Sequence, residues 1–178
     1  MPKYQKCGEA VTLLAGAILC EFPTHKPTLD ARVKIDYVFA FADRDDAGNI
    51  LGCAIKHRGI QALGLCRKVS LKDRVMGRGD VEITLDGDWW ESHDEDEQRS
   101  LLDHELHHIL VQVDSNGKAL TDDFSRPKIS MRPHDVEVGW FSVIAARHGK
   151  VGIERRHAAQ IMQQFGQMFW PELTGSNS

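Results

Sequence analysis

Apolar positions along this chain recur in two rhythms. Between residues 4 and 22 they fall three or four apart, at Val11, Leu14, Ala15, Ile18, Leu19 and Phe22, which predicts a helix with a wide apolar face. The stretch "FPTHKP" ends it. From Ala31 to Phe41 the rhythm becomes alternation, with Val33, Ile35, Tyr37, Phe39 and Phe41 on one side, as in a strand. "DRDDAGN" then supplies a turn, and "ILGCAIK" (50–56) reads as a returning partner strand. Residues 59–79 carry several glycines and mixed charge, and predict irregular chain with a short helix. "DVEITLDG" (80–87) alternates again, with Val81, Ile83 and Leu85 on one face.

The second half is mostly helical in pattern. Ser92 and Glu95 stand in the spacing of a capping box, so a helix is expected from about 93 to 113. Residues 114–128 read as loop or hairpin. Pro133 suits the opening of a helix over 134–148 that Gly149 ends, and a last helix is expected over about 154–169. No repeat or linker interrupts the pattern. It predicts a single domain over 1–172 and a disordered tail over 173–178. The class is α+β: a small, mostly antiparallel sheet packed by the N-terminal helix and the helix at 93–113, with helices at the C-terminal end.

Composition narrows the options. A length of 178 residues suits one core. Net charge is −4, which offers no basic footprint for nucleic acid. The acidic runs "DRDD" and "ESHDEDE" read as solvated loops. The apolar run at 10–20 is too short to span a membrane, and no cleavage site follows it, so the cytoplasm is the expected compartment. Cys7, Cys20, Cys53 and Cys66 form no C-x-x-C pair, which argues against a cysteine zinc knuckle. Cys20 and Cys53 lie in apolar settings and are expected to be buried, reduced thiols.

The chemistry is concentrated in "LLDHELHHIL" (101–110), where His104, Glu105 and His108 spell H-E-x-x-H. Positions i and i+4 put both imidazoles on one helix face, where they can take two corners of a zinc tetrahedron. Glu105 is turned about 100° from that axis, so it can take a proton from a water beside the ion without ligating. Shuffling this composition yields roughly 0.025 such matches per chain. The short strand just before the helix is the order a zincin requires. His107 cannot point at the same ion as its neighbour His108, and is expected to pack or support. Asp103 orients a ligand or solvates the face. A third ligand is needed, and "MRPHDVEVGWFSVIAARHG" (131–149) offers His134 and Glu137, three apart at the start of the following helix. Either could ligate.

The strand, then "LLDHELHH", then "HDVE" leading into an apolar helix that ends in "RHG", resemble the phage metallopeptidase family found in phages and prophages. The resemblance is strongest over 80–149 and extends loosely to 13–42. His107 stands where that family often has cysteine, and "HDVEVGWF" replaces its "HDVEEF". The same pair of motifs looks like the SprT-like metallopeptidases, whose third ligand is a histidine on the second helix; that likeness implies His134. Gluzincin-type families use a helical glutamate instead, which would make it Glu137. The resemblance implies a zincin-like fold, a Zn²⁺ cofactor, peptide or protein substrates and a phage or prophage origin.

The resulting expectation is a zinc-dependent peptidase with Glu105 as general base, Zn²⁺ on His104, His108 and His134, and strand 80–87 pairing with an extended peptide. Two rivals stand beside it: a zinc-stabilised module that binds a host protein without catalysis, and metal-dependent hydrolysis of another bond. Arg147 and His148 read as cations at a helix C-terminus, with oxyanion stabilisation as the other option. Trp89 and Trp90 are expected to anchor the strand–helix corner. His25 and His57 have no partner at useful spacing and are expected to be structural or exposed.

Overall fold

The structure, a computed structural model, describes residues 3–57, 60–134 and 141–165. They belong to two compact units, Met1–Pro133 and His134–Ser178.

The first unit opens with strand β1 (Lys3–Lys6), and helix α1 (Glu9–Glu21) begins only afterwards. The helix expected from residue 4 is therefore shorter. Residues 3–6 are exposed and have no apolar face; backbone pairing with β2 (Ile35–Phe41) makes them a strand, in register from Lys3↔Phe41 to Lys6↔Val38. A 3₁₀ turn (Pro23–His25) and the short helix α2 (Lys26–Asp30) separate α1 from β2. The segment 50–56 does not return beside β2. It divides between two small hairpins, β3 (Asp43–Arg44) with β4 (Ile50–Leu51), and β5 (Ile55–His57) with β6 (Ile60–Ala62).

The region expected to be irregular contains β7 (Gly64–Lys68), a full strand of the main sheet, before helix α3 (Leu71–Val75). Strand β8 (Val81–Asp86) follows, and the sheet order is β1-β2-β8-β7. Its pairings are antiparallel, parallel and antiparallel in that order, so the unit is α+β with a small mixed sheet. All six β8 residues are buried. Val81, Ile83 and Leu85 fill one face, while on the other Glu82 is held by Arg67 at 2.7 Å and by Arg78. Strand 80–87 is thus central and has no free edge for a peptide. At the β7 end, β7 pairs among the described residues with β8 alone.

Helix α4 (Gly87–Glu91) takes up the corner after β8, with Asp86 as its N-cap. Trp90 is buried there, its ring 5.8 Å from that of Phe39 on β2, as a corner anchor should be. The next helix, α5 (Glu95–His107), is capped by Asp94 accepting from Glu97 N–H at 3.0 Å, not by Ser92. Ser92 is used up in ending α4, where its hydroxyl donates to Asp88 and Trp89 carbonyls. Helix α5 also stops at His107, not near 113. Ile109–Val111 (β9), β-branched at both ends, pairs instead with β10 (Ile129–Met131), and the chain between them makes the expected hairpin. Helices α1 and α5 pack together. All four thiols are free, but Cys20 is exposed, contrary to expectation; Cys7 is the buried one.

In the second unit, helix α6 (Ser142–His148) ends at Gly149, whose φ of 53° lies in the left-handed region that favours glycine. A 3₁₀ turn (Gly149–Val151) leads to α7 (Ile153–Phe165). Phe141, Ile144, Ile153 and Ala158 are buried here, together with Glu154. The helix expected over 134–148 is helical from Ser142; His134 lies outside it, and Glu137 falls outside the described residues, as does the 173–178 tail. No described helix is long and apolar enough to cross a membrane.

Candidate metal centre

Two elements of the first unit position the H-E-x-x-H residues. His104 and Glu105 occupy the last turn of α5, and His108 is its C-cap. The motif therefore ends the helix instead of sitting in its middle. The rings of His104 and His108 meet edge to face with centroids 5.2 Å apart. His104 is buried and His108 half-buried.

The hairpin fixes the orientation of His108. The β9–β10 ladder continues one step past Met131↔Ile109: Arg132 N–H donates to His108 O at 2.7 Å. His108 Nδ1 lies 2.8 Å from Arg132 O. A carbonyl only accepts, so Nδ1 carries the proton and Nε2 keeps its lone pair for a metal. Burial above all pushes the His108 imidazole down to about 4; the hydrogen bond to Arg132 O opposes this, and the nearby His104, His57 and Arg132 charges add to it. The ring is neutral at ordinary pH, as a ligand must be.

Pro133 cannot continue the ladder, and His134 follows it directly. One ring nitrogen from each of His104, His108 and His134 lies within 4.8 Å of the others. The unit boundary falls at this residue. His134 is bonded to Pro133, and its ring lies 5.0 Å from that of Phe141. Three imidazoles, one with its acceptor nitrogen set free by a carbonyl, are a donor set that suits Zn²⁺.

Glu105 is 4% exposed. Its side chain lies flat against β7 at Gly64: a Cβ there would stand 2.7 Å from Glu105 Cδ, 2.8 Å from Cγ, and closer still to Oε1. Two residues along β7, burial pushes the Cys66 thiol well up, and the Glu105 charge adds to the shift. The carboxylate thus lies against β7 at Gly64 and Cys66.

Asp103, His107 and His25 form a second set of polar groups; His107 was expected to pack or support and His25 to be structural or exposed, but their connection was not foreseen. Asp103 is fully buried, and its Oδ1 accepts from His25 Nε2 at 2.7 Å; His25 is 2% exposed. The His25 ring meets that of His107 edge to face at 5.9 Å, and Arg132 Nη1 donates to His107 Nε2 at 3.1 Å. Asp103 and His107 are again i and i+4, on a face turned from that of His104 and His108. That doubled spacing was the available signal. Nothing local marks His25 as their partner, 78 residues away from Asp103. Asp103 does not solvate the helix; it ties α5 to the 3₁₀ turn.

Three imidazoles converging near one point, two of them flanking a buried carboxylate at the end of α5, define a candidate metal centre. The chain belongs to the family described as Putative phage metallopeptidase, whose model matches residues 10–166. Comparison with curated proteins and with solved structures gives no match.

Proposed function

We propose that this chain is a zinc-dependent peptidase with Glu105 as its general base. The observation that carries the reading is the grouping of a His134 nitrogen with those of His104 and His108, which flank a buried Glu105 at the end of α5. His104, His108 and His134 would hold the ion. Bound there, zinc supplies a Lewis acid that makes a water acidic and polarises a carbonyl. The chain's own residues do the rest. Glu105 accepts a proton from the attacking water at its carboxylate and delivers it to the leaving nitrogen. Gly64 gives the carboxylate room, and the Arg132 carbonyl keeps His108 in the ligand-competent tautomer. With β8 central, the sheet's edge strands are β1 and β7, and we assign substrate pairing to β7 because it carries the glycine that lies against Glu105. The bacterial host's cytoplasm fits four free thiols.

The test is digestion of a host-lysate peptide library, read by mass spectrometry, with wild type against Glu105→Gln. General-base contributions run to about 10²–10⁴-fold, so cleavage should fall by that much while zinc content and Tm stay put. Identical digests from two zinc-loaded proteins would favour a zinc-stabilised binding module.

A further inference from the structure

The first unit holds a cavity of about 450 Å³ outside the histidine cluster, within the size range that holds a ligand. Its walls come from the end of β7, from α3 and from the hairpin before β10. Val69 and Ile129 line it and are buried; Leu71 and Phe124 also line it and are 53% and 58% exposed. Large apolar side chains this exposed around an apolar floor are a surface that gains by being covered.

The cavity is braced in advance. Arg74 is buried and reaches from α3 to Asp80 Oδ1 at 2.6 Å, to Asp122 Oδ2 at 3.2 Å and to the Pro127 carbonyl at 3.3 Å. That clamp fixes the helix wall against the hairpin wall. It also uses Asp122, leaving Lys68 and Lys128 beside Asp123, a net charge of +1 at the cavity.

Strand β7 connects this cavity to the proposed active site. Gly64, at one end, lies against Glu105; Lys68, at the other, lines the cavity. Four strand residues span about 13 Å. A substrate paired along β7 advances at the same rate, so its fourth residue from the reacting bond arrives at the cavity mouth. We infer that the cavity binds an apolar side chain of the polypeptide substrate, about four residues from the bond that is cut; this rests on the peptidase reading above.

The test uses the full chain loaded with zinc and a proteome-derived peptide library. Wild-type cleavage sites should be enriched in Leu, Ile, Met or Phe at one position three to five residues from the cut bond, by roughly 10- to 100-fold over Gly or Ser there. The double variant Leu71→Ser/Phe124→Ser changes two exposed side chains and should keep its Tm. It should lose that enrichment while cleaving peptides without the apolar residue at the wild-type rate. Cleavage without the enrichment, or with the same enrichment in the double variant, overturns the inference and leaves the peptidase standing. If nothing is cleaved, the chemistry fails separately, and retention of the same library on immobilised Glu105→Gln protein decides the cavity. Retention of apolar peptides that the two serine substitutions abolish supports it; absence of retention overturns it. A double variant that turns a dimer into a monomer, with unchanged preference, also overturns it and makes this face a contact between copies of the chain.

Discussion

Adding one methyl group at Gly64 should silence this protein without unfolding it. Gly64 has no backbone need to be glycine, since its φ lies outside the left-handed region, so Gly64→Ala tests space alone. Carbon atoms in contact settle at about 3.5–4.0 Å. A Cβ at 2.7 Å from Glu105 Cδ therefore requires about 1 Å of movement. Strand β7 cannot readily supply it, because five residue pairs fix it to β8 and the partner of Gly64, Leu85, is fully buried. The carboxylate must move instead. A displacement of 1 Å in a reacting group can cost about 10²-fold. The expected outcome is a kcat about 100-fold lower on a peptide that wild type cleaves, at unchanged zinc content by elemental analysis. Overpacking should cost about 1–3 kcal/mol of stability, read from thermal unfolding. Wild-type kcat in a zinc-loaded Gly64→Ala protein would refute the idea that Glu105 acts from this position.

The other predictions concern the ligands and the groups behind them. Wild type should carry about one zinc per chain, which His104→Ala and His108→Ala should each lose; equal zinc in all three, by elemental analysis, would remove the site. His134→Ala should release more zinc than Glu137→Gln, and the opposite order would assign the third ligand to the glutamate. Asp103→Ala strands His25 in the core, and should cost about 3 kcal/mol and roughly 10 °C in Tm; an unchanged melting curve would mean that the pair does not hold α5. Metal-free protein should lose stability as pH falls from about 6.5 towards 4, because the unfolded chain protonates His108 before the folded one does. The window contributes about 3 kcal/mol, and His108→Gln should flatten that part of the pH–stability curve.

The legible parts of this protein were those whose cause is local. His104, Glu105 and His108 are set by helical spacing, and the alternation of Val81, Ile83 and Leu85 announced β8. Pairing partners were not legible. β1 is four exposed residues that become a strand only because Phe41 to Val38 lie beside them. β7 was hidden by its own composition: Gly64 and the charged Arg67 and Lys68 break a strand pattern, and the side chain that fills the space a Cβ at Gly64 would take is Glu105, 41 residues on. A site that overrides local preference conceals the element that carries it. The end of α5 was misplaced for a similar reason, since Ile109–Val111 continue the apolar rhythm but find their partners in β10.

That early end of α5 governs how the sequence can change in length. His108 belongs to the helix by its position and to the hairpin by its hydrogen bonds, so the alignment of β9 with β10 determines which carbonyl faces its ring. One residue inserted into Ile109–Val111 or Ile129–Met131 shifts that alignment by a step and reverses which side each residue faces. The ring would then meet the wrong backbone group, and Pro133 would deliver His134 to the wrong place. The turn at Asp114–Lys118 is free of this constraint, since it lies beyond the ladder and its ends are already paired. Insertions and deletions should therefore accumulate at that tip, while the six ladder residues tolerate substitution of their side chains but no change in their number.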